Sequence, residues 1–127
     1  DLLHLGHITY LKEAKKLGDR LIVALNSDNS VRKLKGNKRP LNNLKQRALQ
    51  ISALDCVDWI TSFSEETPLR LIKQIEPDVL VKGKDYKIKD IVGSQEVLSK
   101  GGQVKTIELL KGFSTSDLIK RIKDLDT

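Results

Sequence analysis

The chain has 127 residues, 39% of them hydrophobic and 31% charged, which predicts a single globular domain spanning residues 1–127. It has no apolar run of the roughly 18–20 residues that a membrane span needs, and no secretory leader pattern, and its single cysteine, Cys56, fits a reducing cytoplasm. The net charge of +6 favours anionic partners such as nucleotides, phosphorylated metabolites or nucleic acid.

Helices and strands alternate along the chain, because apolar residues recur at helical spacing in some segments and form short continuous runs in others. In chain order we predict a helix at 7–17, a strand at 20–25, helices at 27–34 and 44–54, a strand at 57–61, a helix at 68–75, a strand at 78–81, a helix at 93–99, a strand at 103–107 and a helix at 114–125. This order predicts an α/β fold with a Rossmann-like, doubly wound parallel sheet.

Two predictions concern burial. The strand at 20–25 is a continuous apolar run, which is typical of a strand that is buried on both faces. Trp59 lies between Val57 and Ile60, which favours a place in the core.

The first residues are already apolar and the chain contains no methionine. We therefore expect that residues precede Asp1 in the native protein. A fifth strand, which would pair centrally in the sheet, is expected among them.

Ligands of doubly wound sheets bind beyond the carboxyl ends of the strands. In this chain those ends are the segments 1–7, 26–39, 82–86 and 111–116. Side chains that carry out chemistry are therefore expected in these four segments.

The first of these segments contains both histidines of the chain, in the sequence His4-Leu5-Gly6-His7. Residues three apart share one face of a helical turn, and a helix N-terminus attracts anions. Gly6 would leave backbone room for a ligand. The pattern predicts a phosphate site, although histidines that only cap the helix or lie on the surface remain an alternative. A histidine metal pair lacks further ligands.

No acidic residue lies between Asp28 and Asp55, whereas seven basic residues do. They are Arg32, Lys33, Lys35, Lys38, Arg39, Lys45 and Arg47. This one-sided charge favours phosphate binding over a random surface. The glycine, proline and asparagine residues of 36–43 predict a loop, and we expect 33–42 to be mobile without ligand and to be ordered by phosphate. A solvated charge remains the alternative for each residue taken singly.

Three further groups of polar residues have both a structural and a functional interpretation. Asn26 and Asp28 could bind ligand or cap the next helix. Ser114 and Asp117 have the spacing of a helix cap, and such a helix start keeps spare N–H donors. The segment 82–86 is a surface turn or a ligand contact.

The segment Asp1-Leu2-Leu3-His4-Leu5-Gly6-His7 resembles the (Phe)-Asp-x-x-His-x-Gly-His signature of the cytidylyltransferase-like nucleotidyltransferases. The segments 18–24, 26–28, 35–36, 39–42, 46–47, 57–59, 77–83, 85–86 and 114–115 are similar to one branch, the D-glycero-β-D-manno-heptose 1-phosphate adenylyltransferases. The chain departs from that pattern at Lys84, where glycine is usual, at Phe113, where a smaller residue is common, and at Ser116, where threonine is common.

The resemblance implies roles for individual residues. The residues implied in catalysis are His4, His7 and Lys35. Those implied in nucleotide binding are Asp1, Gly6, His7, Asn26, Lys82, Ser114, Thr115 and Ser116. Those implied in binding the acceptor substrate are Arg47, Asp85 and Tyr86. The resemblance implies Mg²⁺ as a cofactor that the nucleotide largely brings with it, and no metal site made by the protein alone.

The implied reaction transfers AMP from ATP to a sugar 1-phosphate, a heptose 1-phosphate in this branch, and releases pyrophosphate. The partners are then ATP and the sugar phosphate, with neither nucleic acid nor membrane. A homodimer and a fused sugar kinase domain are compatible with the resemblance.

Three alternatives stay open. A CTP-dependent cytidylyltransferase for glycerol 3-phosphate or choline phosphate would share the histidine motif. A fragment of a class I aminoacyl-tRNA synthetase would need a second lysine-rich catalytic loop. A non-enzymatic nucleic-acid-binding module would explain the charge, but it predicts aromatic residues interleaved with the basic ones.

Overall fold

The computed structural model describes residues 2–83 and 86–126. Its helices are α1 (Leu5–Lys15), α2 (Asp28–Lys35), α3 (Leu44–Ser52), α4 (Leu69–Ile75), α5 (Ser94–Ser99) and α6 (Thr115–Asp124), with a 3₁₀ turn at Ile88–Asp90. Its strands are β1 (Ile22–Asn26), β2 (Trp59–Phe63), β3 (Val79–Gly83) and β4 (Gln103–Ile107). The predictions made for Asp1 and Asp85, and the departure at Lys84, concern residues outside the described ranges.

All described strands pair in parallel. β1 pairs with β2 from Ile22–Trp59 to Asn26–Phe63, and β3 pairs with β4 from Val79–Gln103 to Gly83–Ile107. The two pairs form separate two-stranded sheets among the described residues. The α/β class with parallel strands is therefore confirmed, while a fifth, central strand stays a prediction.

The core beside the β3–β4 sheet is small and aliphatic. Ile72, Ile91, Val97 and Val104 form one buried cluster, and the partly buried Leu80 of β3 packs against it. Gly93 has a φ of 88°, and a Cβ atom there would lie 2.6 Å from Cδ1 of Ile72. Glycine at this position thus provides both the left-handed backbone and the space that the cluster occupies.

Two predictions about burial are wrong. Trp59 is 55% exposed, and Ile22, its partner across the strands, is 38% exposed. Neighbouring side chains on a strand point to opposite faces, so Trp59 points away from the half-buried Ile60. Ala24 of β1 is exposed as well, so in the described part of the chain β1 is not covered on both faces.

The carboxylate of Asp58 fastens the end of α1 to the start of β1. Its Oδ2 accepts hydrogen bonds from Lys15 Nζ at 2.6 Å and from the Leu21 backbone N–H at 2.7 Å. The hydrogen bond from Lys15, and then that from Leu21, lower the pKa of Asp58. This contact lies at the end of α1 remote from His4 and His7, and it holds the helix against the β1–β2 sheet.

None of the described helices has the length and apolarity to cross a membrane.

Candidate functional site

The two histidines cap α1 and stack on each other. His4 is the N-cap residue, and its Nδ1 accepts a hydrogen bond from the Gly6 N–H at 3.1 Å. The His4 N–H in turn donates to Nδ1 of His7 at 3.3 Å, and the two ring centroids lie 3.9 Å apart. Capping and ligand binding are therefore compatible, because capping uses Nδ1 of each ring and leaves Nε2 for a ligand.

The capping bonds determine the tautomer of both rings, and the lowered pKa values keep both rings uncharged. Each Nδ1 accepts an N–H, so the proton of each neutral ring lies on Nε2. Burial, and then the positive charge that His4 would carry, lower the pKa of His7 to about 4. Burial also lowers the pKa of His4. At neutral pH the pair therefore offers two uncharged Nε2–H donors, which suit phosphate oxygens.

We expect NMR titration of the free protein to give His7 a pKa near 4, well below the ordinary histidine value of 6.5. Because this pKa is lower in the folded than in the unfolded protein, the contribution of His7 to stability is full above pH 6.5. It is lost as the pH falls toward 4. Long-range ¹H–¹⁵N spectra measure both the pKa and the Nε2–H tautomer. A His7 that titrates at or above 6.5 in the free protein would contradict this assignment.

A second helix N-terminus lies beside the histidines. Ser114 is the N-cap of α6, and its hydroxyl accepts the Asp117 N–H at 3.0 Å. The first intrahelical hydrogen bond runs from the Leu118 N–H to the Ser114 carbonyl. The N–H groups of Thr115 and Ser116 therefore have no acceptor within the helix. These two groups are the donors that α6 can offer to an anion.

Contacts of Thr115 and Gly6 bring the two helix starts together. The buried Thr115 hydroxyl accepts the Leu2 N–H at 3.3 Å and donates to the Leu2 carbonyl at 3.5 Å. A Cβ atom on Gly6 would lie 2.8 Å from the His4 ring and 3.2 Å from Cβ of Phe113. The space at Gly6 is thus taken by His4 and Phe113, and a nucleotide contact at Gly6 stays a prediction.

A second group of predicted residues surrounds the end of β1. Nδ2 of Asn26 donates to the buried Ser30 hydroxyl at 3.0 Å, and Ser27 caps α2 by accepting the Ser30 N–H at 3.2 Å. The Arg47 guanidinium donates to the Asn26 carbonyl at 2.8 Å and to Oδ1 of Asp28 at 2.8 Å. The predicted cap is therefore wrong for Asn26 and Asp28, because Ser27 between them caps α2. The ligand contacts of Asn26 and Asp28 stay predictions.

Three other predicted residues are exposed and lie at or just beyond the ends of elements: Lys35, Lys82 and Tyr86. Lys35 is the last residue of α2, which ends at Gly36 with a φ of 101°. The helix predicted at 27–34 thus extends one residue further, to Lys35, because the caps at Ser27 and Gly36 bracket it. The mobility of 33–42 without ligand stays a prediction. Lys82 lies near the end of β3, with its Nζ 5.1 Å from the centroid of the Tyr86 ring.

Comparison with known proteins decides between the families that share this arrangement. Residues 1–121 match the sequence profile described as cytidylyltransferase-like. The chain belongs to the cytidylyltransferase-like family.

Similar proteins of known sequence and structure agree with that family. The chain is 54% identical to the bifunctional protein HldE of Pasteurella multocida over 98% of its own length, and 55% identical to that of Photorhabdus laumondii over the same share. It spans about a quarter (26%) of the length of each. A lipopolysaccharide core biosynthesis protein from Thermoplasma volcanium has a TM-score of 0.68 at 34% identity, covering 87% of this chain and 89% of that one.

Some residues that shape this family site were not predicted from the sequence. Leu2 carries no reactive group, and its contact with Thr115 joins residues 113 positions apart, so no local pattern could reveal it. Ser30 is 2% exposed and joins Asn26 to the carbonyl of Glu65 at 3.4 Å. Its position three residues after Ser27 is a signal for a helix cap, but not for this buried bridge.

Proposed function

We propose that this chain transfers AMP from ATP to a sugar 1-phosphate, a heptose 1-phosphate, and releases pyrophosphate. The observation that supports it most is the stacked His4–His7 pair, whose Nε2–H donors are available beside the start of α6. Neutral donors at two adjoining helix N-termini favour an extended anion such as a triphosphate.

In the proposed reaction, a phosphate oxygen of the sugar 1-phosphate attacks the α-phosphorus of ATP in line. The new P–O bond forms as the bond between the α-phosphorus and its bridging oxygen breaks, and pyrophosphate leaves with that electron pair. The second pKa of a phosphate monoester is about 6, so the attacking oxygen is already ionised at neutral pH and needs no general base. The protein's task is to hold two anions together and to stabilise the charge of the transition state.

Each group of residues has a share in this task. Nε2–H of His4 and of His7 would donate to oxygens of the triphosphate, where charge develops. The Thr115 and Ser116 N–H groups would hold its terminal phosphates, and Lys35 would reach both reacting phosphates. The remaining proposed nucleotide contacts are Asp1, Gly6, Asn26, Lys82 and Ser114.

Mg²⁺ is the proposed cofactor, and it would neutralise phosphate charge when bound. Within residues 2–83 and 86–126, no three His, Cys, Asp or Glu side chains are grouped so that they could hold a metal ion. Mg²⁺ prefers oxygen ligands and keeps several waters, so phosphate oxygens and water fit its needs here. We therefore propose that it enters with ATP.

We propose that Asp85 and Tyr86 contact the sugar, in line with the similarity of this segment to the heptose branch. A carboxylate can accept hydrogen bonds from sugar hydroxyls, and Tyr86, three residues beyond β3, is 50% exposed. Sites built on polar groups reject acceptors that leave those groups unpaired, by as much as about 10⁴-fold. The names of the relatives also support a second activity in the full-length protein, for which a fused sugar kinase domain is our proposal.

A pyrophosphate-release assay tests this function on the full-length protein. ATP and CTP are each combined with heptose 1-phosphate, glycerol 3-phosphate and choline phosphate. We expect the fastest turnover with ATP and heptose 1-phosphate, and Asp85→Ala should raise KM for the sugar phosphate more than KM for ATP. Faster turnover of CTP with glycerol 3-phosphate would instead identify a cytidylyltransferase.

A further inference from the structure

Arg47 is the only buried charged residue among those that the structure describes, with its side chain 8% exposed. Removing a guanidinium from water is costly unless its N–H groups find acceptors. The burial of Arg47 therefore requires protein acceptors around its guanidinium.

Every nitrogen of the Arg47 guanidinium donates to a protein oxygen. Nε donates to the Asn42 carbonyl at 3.0 Å, Nη1 to the Asn26 carbonyl at 2.8 Å, and Nη2 to Oδ1 of Asp28 at 2.8 Å. Asn26 and Asp28 precede and open α2, whereas Asn42 precedes the cap of α3. One side chain thus joins the two ends of the segment 28–42, which we call the basic segment.

The basic segment contains five of the positive residues of the acid-free stretch and ends at a firmly capped helix. These residues are Arg32, Lys33, Lys35, Lys38 and Arg39. Asn43 caps α3 by accepting the Gln46 N–H at 2.9 Å, and the Ser27 N–H donates to the Phe63 carbonyl at 2.8 Å. Because α2 is a rigid rod of about 12 Å, the position of its first residue determines where Lys35 lies.

We propose that Arg47 is a positioning residue, which closes the base of the basic segment and so sets Lys35 against the reacting phosphates. It does this in place of the direct phosphate contact that the family resemblance implies. The proposal rests on the proposed function for the identity of those phosphates. A lysine at position 47 would keep the charge, but its single ammonium group could not replace the planar fork that joins three acceptors.

Limited proteolysis with trypsin tests the closure without any catalysis. In the full-length protein, Arg47→Lys should speed cleavage after Lys35 and Lys38 by roughly tenfold, because the segment opens more often. Cleavage after Lys100 should not change. The matched control is Arg70→Lys, which alters an arginine whose side chain is 57% exposed and pairs with Glu65.

If Arg47→Lys does not fold, Asp28→Asn serves instead, because it removes the charge opposite Arg47 and should speed cleavage at the same two positions. Unchanged cleavage of the basic segment in the folded variant would overturn the closure.

Kinetics separate positioning from direct phosphate contact. We expect Arg47→Lys to lower kcat by roughly 10- to 100-fold, the scale of a misplaced catalytic group. In that background Lys35→Ala should cost only about a further tenfold, less than it costs in the native protein. A rise confined to KM for the sugar phosphate, with losses that multiply in the double variant, would overturn the proposal. If neither the native protein nor any variant releases pyrophosphate, the proposed function fails. Proteolysis would still show whether Arg47 closes the base of the basic segment.

Discussion

His7→Asn should lower kcat by roughly 100-fold or more, the scale of losing one preorganised donor to a developing charge. Asparagine can still accept the His4 N–H through its side-chain oxygen, which replaces Nδ1 of the ring. It has no group at the position of Nε2. The variant therefore removes the donor while it preserves the cap of α1, and its melting temperature should stay close to that of the native protein.

His7→Gln is the matched control for this prediction. Its longer side chain can place an amide N–H near the position of Nε2, but it loses the acceptor for the His4 N–H. We expect it to recover part of the activity that His7→Asn loses, at some cost in stability. Full activity of a well-folded His7→Asn would exclude a catalytic role for Nε2–H, and steady-state kinetics with thermal melting decides between these results.

Lys35→Ala should lower kcat by roughly 10²- to 10³-fold, because it removes a positive charge from the two reacting phosphates. Lys33 and Lys38 provide matched controls, since both are exposed lysines of the same basic segment. Alanine at either position should change kcat by less than about tenfold, although it removes the same net charge. Equal losses at all three positions would indicate a diffuse electrostatic effect and no specific role for Lys35.

The order of the secondary structure could be predicted from local patterns. β4 has the predicted bounds, and α2 begins and ends within one residue of its predicted limits. The cap at Ser114 was predicted, because it depends only on near neighbours in the same helix. The cap of α2 was predicted at Asn26 or Asp28, whereas Ser27 between them provides it. Burial was less predictable, because the exposure of Trp59 depends on what covers its face of the sheet, which no local pattern records.

The chemistry of the site was predictable in type but not in detail. The histidine motif predicts a phosphate site. The sequence does not reveal that Nδ1 of each ring accepts a backbone N–H that caps α1. Arg47 is a sharper example, because its spacing on α3 is that of any helix arginine. Its burial arises from Asn26, Asp28 and Asn42, which the fold brings around it from three different points of the chain.

The contact between Leu2 and Thr115 limits when the site can form during synthesis of the protein. The histidine motif leaves the ribosome well before the start of α6, because 113 positions separate Leu2 from Thr115. During synthesis the buried cluster around Ile72 and Val104 can form before α6 has left the exit tunnel. A nascent chain would thus acquire most of its fold before it could bind a triphosphate at the two helix starts.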